Sequence, residues 1–337
     1  MTLRAIDLFC GIGGNSWGAQ QAGAEIVAGF DQWGLAGKVY QDNFPQARFY
    51  EKDLTSFSRA ELKHIQEEVG QIDLILASPE CTSHSVARGN KPKREESLRL
   101  SWHVLRFAKL FQPRWIVIEN VTAMRVWSRY KDFLRTLQEE AGYCHREPTI
   151  NASEFGVPQR RKRLYILCDR TQKPKPLVAP AGETPWAAEV ISPNGTYPFS
   201  PLKKPGRAAK TLERAERAFS ALGADSPFLM VYYGTDHGGG WQTLETPLRT
   251  ITTLDRFALV KPDGKGGHEM RMLQPPELQA AMGFPAEFKL NHGVRRDKIH
   301  LLGNAVCPPV MEAIVRSLTA GQAEARSEIQ ESVHAAG

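Results

Sequence analysis

The chain has 337 residues, of which 42% are hydrophobic and 24% are charged. This composition is ordinary for a globular protein, so it excludes disordered, collagen-like and disulfide-stapled classes. Lysine and arginine together number 43 and aspartate and glutamate 37, which gives a net charge of +6 and an isoelectric point near 9.0. A basic balance of this kind favours an acidic partner such as nucleic acid without requiring one.

The cysteine spacing and the lack of long apolar stretches indicate the cellular compartment. Five cysteines lie far apart and form no C-x-x-C pair, which predicts neither a disulfide framework nor a thiolate metal site: Cys10, Cys81, Cys144, Cys168 and Cys307. No apolar run approaches the roughly 20 residues of a membrane span, and the N-terminus lacks the features of a signal sequence. We therefore expect a cytoplasmic protein with no membrane partner and no metal.

Short apolar runs alternate with helical patterns through the first half of the chain. The runs are typical of covered strands in a parallel sheet: RAIDLF, EIVAGFD, RFYEKD, DLILASP, WIVIENV and RLYILCD. The segments between them predict helices: NSWGAQQAG, GLAGKVYQDNF, SRAELKHIQEEVG, ESLRLSWHVLRFAKLFQP and RYKDFLRTLQEEAGY. This order predicts a doubly wound α/β domain with right-handed crossovers that ends near residue 168.

The composition changes from about residue 170. Pro and Gly recur too often there for regular helices or central strands, which predicts a smaller, loop-rich second domain. It carries a basic run: Lys203, Lys204, Arg207, Lys210, Arg214 and Arg217. Helical patterns resume in PPELQAAMGFP and CPPVMEAIVRSLTAG, as expected if the chain returns to the first domain. The predicted division is 1–168 plus 265–320, then 169–264, with a polar tail at 321–337.

The segment DLFCGIGG, residues 7–14, predicts a nucleotide-type pocket. Gly11, Gly13 and Gly14 can take positive φ and let backbone N–H groups approach a ligand at the start of a helix. Asp31 follows at the end of the second strand, where a carboxylate accepts hydrogen bonds from ribose hydroxyls, and Asp53 ends the third. The G-x-G-G spacing does not fit the G-x-G-x-x-G pattern of nicotinamide dehydrogenases, which disfavours that alternative.

A thiol and a carboxyl group follow two adjacent predicted strands. Cys81 lies in SPECTSHS after the fourth strand, and Glu119 begins the ENV segment at the end of the fifth. Ligands of open α/β sheets bind at this edge, so the pair predicts a nucleophile and an acid. Arg161 and Arg163 lie in FGVPQRRKR, and an arginine near Cys81 favours its thiolate. LLGNAVCPPV, residues 301–310, predicts a Gly-Asn turn that opens a helix.

These segments occur in the order seen in DNA (cytosine-5)-methyltransferases, and the chain resembles that family from about residue 4 to residue 318. The segments are DLFCGIGG, SPECTSHS, ENV, QRRKR, LRTIT, RMLQPPELQAAMGFP and LLGNAVCPPV. The resemblance implies an α/β domain that binds S-adenosylmethionine, a small target-recognition domain, and the product S-adenosylhomocysteine. It implies a cofactor pocket of Phe9, Gly11, Gly13, Gly14, Asp31, Asp53, Pro79, Asn304 and Val306.

The resemblance also implies a mechanism. Cys81 as thiolate adds to cytosine C6 while Glu119 hydrogen-bonds or protonates N3, which makes C5 nucleophilic towards the methyl group. Arg163 contacts the cytosine O2, and Arg161 supports Glu119 and the nucleophile loop. Because this chemistry is impossible within the base stack, the cytosine must be flipped out of the duplex.

The resemblance also implies that the loop after the nucleophile contacts DNA. In the family this loop closes over DNA, which assigns phosphate contacts to Ser85, Arg88, Lys91, Lys93 and Arg94. The recognition of base sequence falls to residues between about 170 and 245. The family implies a monomer on duplex DNA, as in prokaryotic or phage restriction-modification systems, where a companion restriction endonuclease can occur.

One departure from the family keeps other functions open. The family reads Pro-Pro-Cys-Gln at the nucleophile, whereas this chain has Glu80 beside Cys81. A carboxylate there disfavours the thiolate, so a catalytically inactive DNA-binding protein stays an alternative. A tRNA cytosine-5 methyltransferase is another alternative, although the Cys-Phe-Thr segment typical of those enzymes is absent from the sequence.

Overall fold

The structure, a computed structural model, describes residues 2–79, 96–192, 196–233 and 239–320, with side chains from residue 100 onward in the second range. The chain divides into two compact units. The first comprises Met1–Ile150, Lys162–Pro180 and Val306–Gly337, and the second comprises Asn151–Arg161 and Ala181–Ala305. Residues 265–305 thus belong to the second unit, although we expected them to return to the first domain. The functional domain boundaries themselves stay a prediction.

A sheet of eight described strands forms the centre of the first unit, in the order β3-β2-β1-β4-β5-β9-β6, with β7 paired to β9. Its strands are β1 Leu3–Leu8, β2 Ala24–Asp31, β3 Arg48–Glu51, β4 Leu74–Ala77, β5 Trp115–Asn120, β6 Cys144–Arg146, β7 Thr149–Asn151 and β9 Lys162–Asp169. Strands β1 to β5 pair in parallel. This arrangement confirms the predicted α/β class, with the carboxyl ends of these five strands at one edge.

The sixth predicted strand, RLYILCD, does not run parallel to the others. It forms most of β9, which pairs antiparallel with β5 on one side and with β6 on the other. Strand β6 therefore runs in the same direction as β5, and the helical crossover after β5 leads to β6. The sequence prediction missed β6 because its three residues, Cys144–Arg146, carry no apolar run. Strand β9 then inserts between β5 and β6.

The predicted helices of the first unit are confirmed. They are α1 Gly14–Gln21, α2 Gly34–Asn43, α3 Arg59–Val69, α4 Glu96–Phe111 and α5 Tyr130–Arg135, which continues as a π-helical turn over Thr136–Glu140. Helix α3 begins with a capping box, in which Ser58 and Glu61 satisfy each other's backbone N–H groups. Strand and helix side chains such as Ile6, Phe30 and Phe107 are fully buried in one core. A further helix, α9, occupies residues 308–320.

The second unit contains an antiparallel sheet of five described strands in the order β10-β15-β14-β11-β12, and a parallel pair, β8 with β13. Its strands are β8 Gln159–Arg160, β10 Ser200–Pro201, β11 Phe228–Val231, β12 Trp241–Thr243, β13 Leu248–Arg249, β14 Phe257–Pro262 and β15 His268–Met272. Its helices are α6 Ala209–Leu222, α7 Pro275–Ala281 and α8 Arg295–Asn304. Short 3₁₀ helices lie at Ala152–Phe155 and Ala187–Glu189, and another lies in the first unit at Thr122–Val126.

One expectation about the second unit was wrong, and another needs an addition. The loop-rich segment predicted from about residue 170 is followed by helix α6 and strand β11, and Ala215 and Ala218 of α6 lie in one buried cluster with Phe228 and Met230 of β11. The Gly-Asn pair of LLGNAVCPPV is not a turn, since Gly303 and Asn304 are the last residues of α8. A Cβ on Gly303 would lie 2.4 Å from the backbone of Thr252, so this glycine permits close packing.

Candidate active site

The turn from β1 into α1 has the predicted positive φ at two of its three glycines, Gly11 at 52° and Gly13 at 90°. Gly14 is the first residue of α1 and does not take a positive φ, whereas Phe9, which was not predicted to, has a φ of 56°. A Cβ on Gly11 would meet no atom within 4 Å, so the turn leaves open space beside its backbone. A Cβ on Gly14 would lie 2.2 Å from the carbonyl oxygen of Val306, so Val306 is packed directly on the start of α1.

Asp31 lies at the carboxyl end of β2, against this turn. Its Oδ2 accepts a hydrogen bond from the Gly11 N–H at 2.8 Å, and its Oδ1 accepts one from the Trp33 N–H at 2.9 Å. Burial raises the pKa of Asp31 above its ordinary value, and these backbone hydrogen bonds lower it in part. The structure thus brings together Gly11 and Asp31, which sequence reasoning assigned to one pocket.

The predicted end of the third strand was wrong: β3 ends at Glu51, and Asp53 lies two residues beyond it. Asp53 is exposed, and its Oδ1 accepts a hydrogen bond from the Thr55 N–H at 2.8 Å. Glu51 pairs with Asp31 across the sheet register, and a Cβ on Gly34 would lie 2.5 Å from its carboxylate. The Glu51 carboxylate therefore lies over the first residue of α2, where the helix dipole stabilises negative charge. The sequence signal that could have identified Glu51 is its position near the carboxyl end of the predicted strand RFYEKD.

Glu119 forms the second acidic site, at the carboxyl end of β5. Its Oε1 lies 3.1 Å from Nε of Arg163, and the two side chains are only 10% and 17% exposed. The next residue, Asn120, is buried and was given no separate role from the sequence. Its Nδ2 donates to the carbonyl oxygen of Pro79 at 3.1 Å, so β5 holds the segment that leads towards Cys81.

Arg161 is buried in the second unit and binds backbone carbonyl groups. Its Nη1 donates to Ile251 O at 3.0 Å, and its Nη2 donates to Gly303 O at 2.9 Å and to Ala305 O at 3.0 Å. These contacts hold both sides of Asn304, whose own side chain is exposed. The expected support of Glu119 by Arg161 stays a prediction.

The remaining sequence-predicted residues lie outside the described part of the chain. These are the nucleophile Cys81, its neighbour Glu80, and the DNA-contact candidates Ser85, Arg88, Lys91, Lys93 and Arg94. Within the described ranges, no cluster of three or more His, Cys, Asp or Glu side chains could hold a metal ion. No helix in those ranges is long and apolar enough to cross a membrane.

A sequence model described as "C-5 cytosine-specific DNA methylase" matches residues 3–320. Type II methyltransferase M.HgiDI of Herpetosiphon aurantiacus is 37% identical over 171 residues, which are 50% of this chain and 52% of that protein. The tRNA (cytosine(38)-C(5))-methyltransferase of Homo sapiens is 26% identical over 182 residues, 53% of this chain and 45% of that protein. The chain spans about half the length of the curated relatives it matches.

The fold has close counterparts among solved structures. The Entamoeba histolytica methyltransferase EhMeth superposes with a TM-score of 0.68 at 17% identity, covering 96% of this chain and 99% of that chain. At this identity the likeness shows the fold alone. The sequence match over residues 3–320 shows more than the fold: this chain belongs to the C-5 cytosine-specific DNA methylase family.

Proposed function

We propose that this chain transfers a methyl group from S-adenosylmethionine to C5 of cytosine in duplex DNA. The observation that carries this proposal is the ion pair of Glu119 with Arg163, 3.1 Å apart, at the end of β5. The adjacent Asn120 holds Pro79, two residues before Cys81. In a chain of this family, that arrangement is evidence that Glu119 serves as the acid beside the segment that carries the nucleophile.

Members of the family are generally S-adenosylmethionine-dependent methyltransferases. The glycine turn fits such a cofactor, because Gly11 leaves open space beside its backbone and Asp31 presents a partly buried carboxylate at the same place. Phe9, Gly13, Gly14, Asp53, Pro79, Asn304 and Val306 are the further proposed contacts. When bound, the cofactor supplies an electrophilic methyl carbon.

The protein's own residues activate the base. Cys81 as thiolate adds to C6, and Glu119 donates a hydrogen bond or proton to N3, so that electron density moves to C5. Arg163 holds the Glu119 carboxyl group in place and contacts the cytosine O2. Once C5 carries the methyl group, the C5 proton passes to solvent and the C6–S bond breaks, so that Cys81 leaves as the thiolate, the N3 proton returns to Glu119 and the ring regains its aromaticity. Arg161 acts by supporting this site.

The proposal extends to partners. Duplex DNA is held by Ser85, Arg88, Lys91, Lys93 and Arg94 through its phosphates, with the cytosine flipped out of the stack. Type II relatives act on DNA within restriction-modification systems, so a companion restriction endonuclease is part of the proposal. The protein acts as a monomer in the cytoplasm.

One comparison favours a second substrate. The relative named as a tRNA (cytosine(38)-C(5))-methyltransferase aligns with about half of this chain, and the same thiol and acid chemistry acts on RNA. Transfer RNA is therefore the alternative methyl acceptor.

The test is a transfer assay with isotopically labelled S-adenosylmethionine, offered separately with duplex DNA and with transfer RNA. The variants are Cys81→Ala and, as a matched control, Cys144→Ala, which replaces an exposed free cysteine. We expect labelled 5-methylcytosine in DNA with the wild type and the control, and none with Cys81→Ala. Label in RNA alone, or label that survives Cys81→Ala, would contradict the proposal.

A further inference from the structure

A buried polar network lies beneath the glycine turn. Asp7, in β1, is fully buried. Its Oδ2 accepts a hydrogen bond from the hydroxyl of Ser16 at 2.7 Å, and its Oδ1 accepts one from Nδ2 of Asn15 at 3.3 Å. Asn15 and Ser16 lie in the first turn of α1, directly after Gly14. The carboxyl group therefore holds the start of the helix that the glycine turn enters.

The same network reaches the end of β4. Nδ2 of Asn15 also donates to Oγ of Ser78 at 3.3 Å, and Ser78 Oγ donates to the carbonyl oxygen of Phe9 at 2.9 Å. Ser78 is followed by Pro79, which Asn120 holds from β5. One chain of contacts thus joins the glycine turn, the start of α1 and Ser78, which follows β4 and lies three residues before Cys81.

The Phe9 contact is the one that restrains an unfavourable conformation. A positive φ is uncommon at a residue other than glycine and persists only where the surroundings impose it. Phe9 has a φ of 56°, and the hydroxyl of Ser78 holds its carbonyl group. Loss of this hydroxyl lets Phe9 relax, which changes the glycine turn and the end of β4 together.

We propose that Asn15 and Ser78 are positioning residues that couple the cofactor turn to the segment carrying Cys81. The inference rests on the proposed function, because it assigns the turn to the cofactor and Cys81 to the nucleophile. A network that only satisfied buried polar groups would affect folding stability. A coupling network also affects cofactor affinity and the rate of methyl transfer, and its members act as one unit.

The experiment uses the full chain with Ser78→Ala, Asn15→Ala and the double variant. Two quantities are measured: the affinity for S-adenosylhomocysteine without DNA, and the single-turnover rate of methyl transfer to duplex DNA at saturating cofactor. Ser101→Ala is the matched control, because Ser101 is also buried and its hydroxyl has no hydrogen-bond partner among the described residues. Ser78→Thr keeps the hydroxyl and tests rescue.

We expect Ser78→Ala and Asn15→Ala each to lower affinity and rate about tenfold, the effect of about 1.4 kcal/mol. The double variant stays near tenfold, well short of the hundredfold that independent sites give. Ser78→Thr and Ser101→Ala remain within about twofold of the wild type. The proposal is overturned if Ser78→Ala matches Ser101→Ala in both measurements, or if the single effects multiply.

Two further measurements distinguish a failure of this proposal from a failure of folding and from a failure of the proposed function. Thermal unfolding is recorded for each variant, and if Ser78→Ala fails to fold, Ser78→Cys replaces it, since a thiol is a weaker hydrogen-bond donor of similar shape. A wild type that binds S-adenosylhomocysteine but transfers no methyl group to DNA contradicts the proposed function. The affinity measurements then still decide the coupling to the turn, and a wild type that binds no S-adenosylhomocysteine overturns both.

Discussion

Replacement of Asp7 by asparagine should remove much of the pH dependence of folding stability between pH 5 and pH 8. Burial raises the pKa of the Asp7 carboxyl from 3.8 to about 7, against the lowering effect of hydrogen bonds from Ser16 and Asn15, and the charge of Asp31 adds to the rise. The neighbouring Cys10 and Tyr40 have pKa values raised by burial, so they stay neutral in this range.

The sign of the effect follows from the two states of the carboxyl group. Below pH 3.8 it is protonated in both the folded and the unfolded chain. As the pH rises towards 7, the unfolded chain ionises while the folded chain keeps its proton, so the free energy of unfolding falls. At 1.36 kcal/mol per pH unit, the full loss is roughly 4 kcal/mol, and the part between pH 5 and pH 8 is about 3 kcal/mol.

Asparagine is a suitable neutral replacement for the protonated acid. Its amide can donate to the hydroxyl of Ser16, which then donates to Tyr40 Oη at 2.9 Å, while its oxygen still accepts from Asn15. Urea unfolding of both proteins at several pH values gives the difference directly. We expect Asp7→Asn to gain about 3 kcal/mol on the wild type from pH 5 to pH 8. A difference that is constant across this range would refute the reasoning.

Three further substitutions test the site. Glu119→Gln keeps the contact with Arg163 but cannot donate a carboxyl proton. The single-turnover rate of methyl transfer should therefore fall by about 10² to 10⁴, while the affinity for S-adenosylhomocysteine stays unchanged. The control is Glu67→Gln, which replaces an exposed glutamate. Gly14→Ala places a methyl group 2.2 Å from the Val306 carbonyl oxygen, which should cost about 1–3 kcal/mol in urea unfolding and weaken S-adenosylhomocysteine binding. Arg161→Lys cannot reach all three carbonyl groups, so it should lower the unfolding free energy by about 2–3 kcal/mol, whereas exposed Arg160→Lys should not.

Each of these predictions has a contradicting outcome. Full transfer activity in Glu119→Gln would remove its role as an acid. Unchanged stability in Gly14→Ala would show that Val306 yields without strain. Equal stability of the Arg160 and Arg161 variants would mean that the buried carbonyl contacts contribute nothing.

Local sequence patterns predicted the parts of the fold that depend on local physics. Nearly continuous apolar runs located β1, β2, β4 and β5, since strands covered on both faces need apolar residues at most positions. The edge strand β3, RFYE, is only partly buried. The glycine turn was predictable because positive φ is accessible chiefly to glycine. Phe9 breaks that rule, and no local pattern indicates it, because its carbonyl group is held by Ser78, which follows β4 and is 69 residues away in sequence.

Features that depend on distant parts of the chain escaped prediction. The antiparallel direction of β9 follows from β6, three residues with no apolar run. The three carbonyl partners of Arg161 lie 90, 142 and 144 residues away in sequence, so nothing around QRRKR indicates them. Glu51 and Asn120 were likewise passed over, because their roles arise from a neighbouring strand or helix that only the folded chain supplies.

Bisulfite sequencing of genomic DNA tests the central proposal most directly. The wild type and Cys81→Ala are expressed in a bacterial host that lacks cytosine methylation, and every cytosine is scored. The proposed function predicts protected cytosines at one short sequence with the wild type and none with the variant. Soluble, folded wild-type protein that leaves every genomic cytosine unprotected would contradict it.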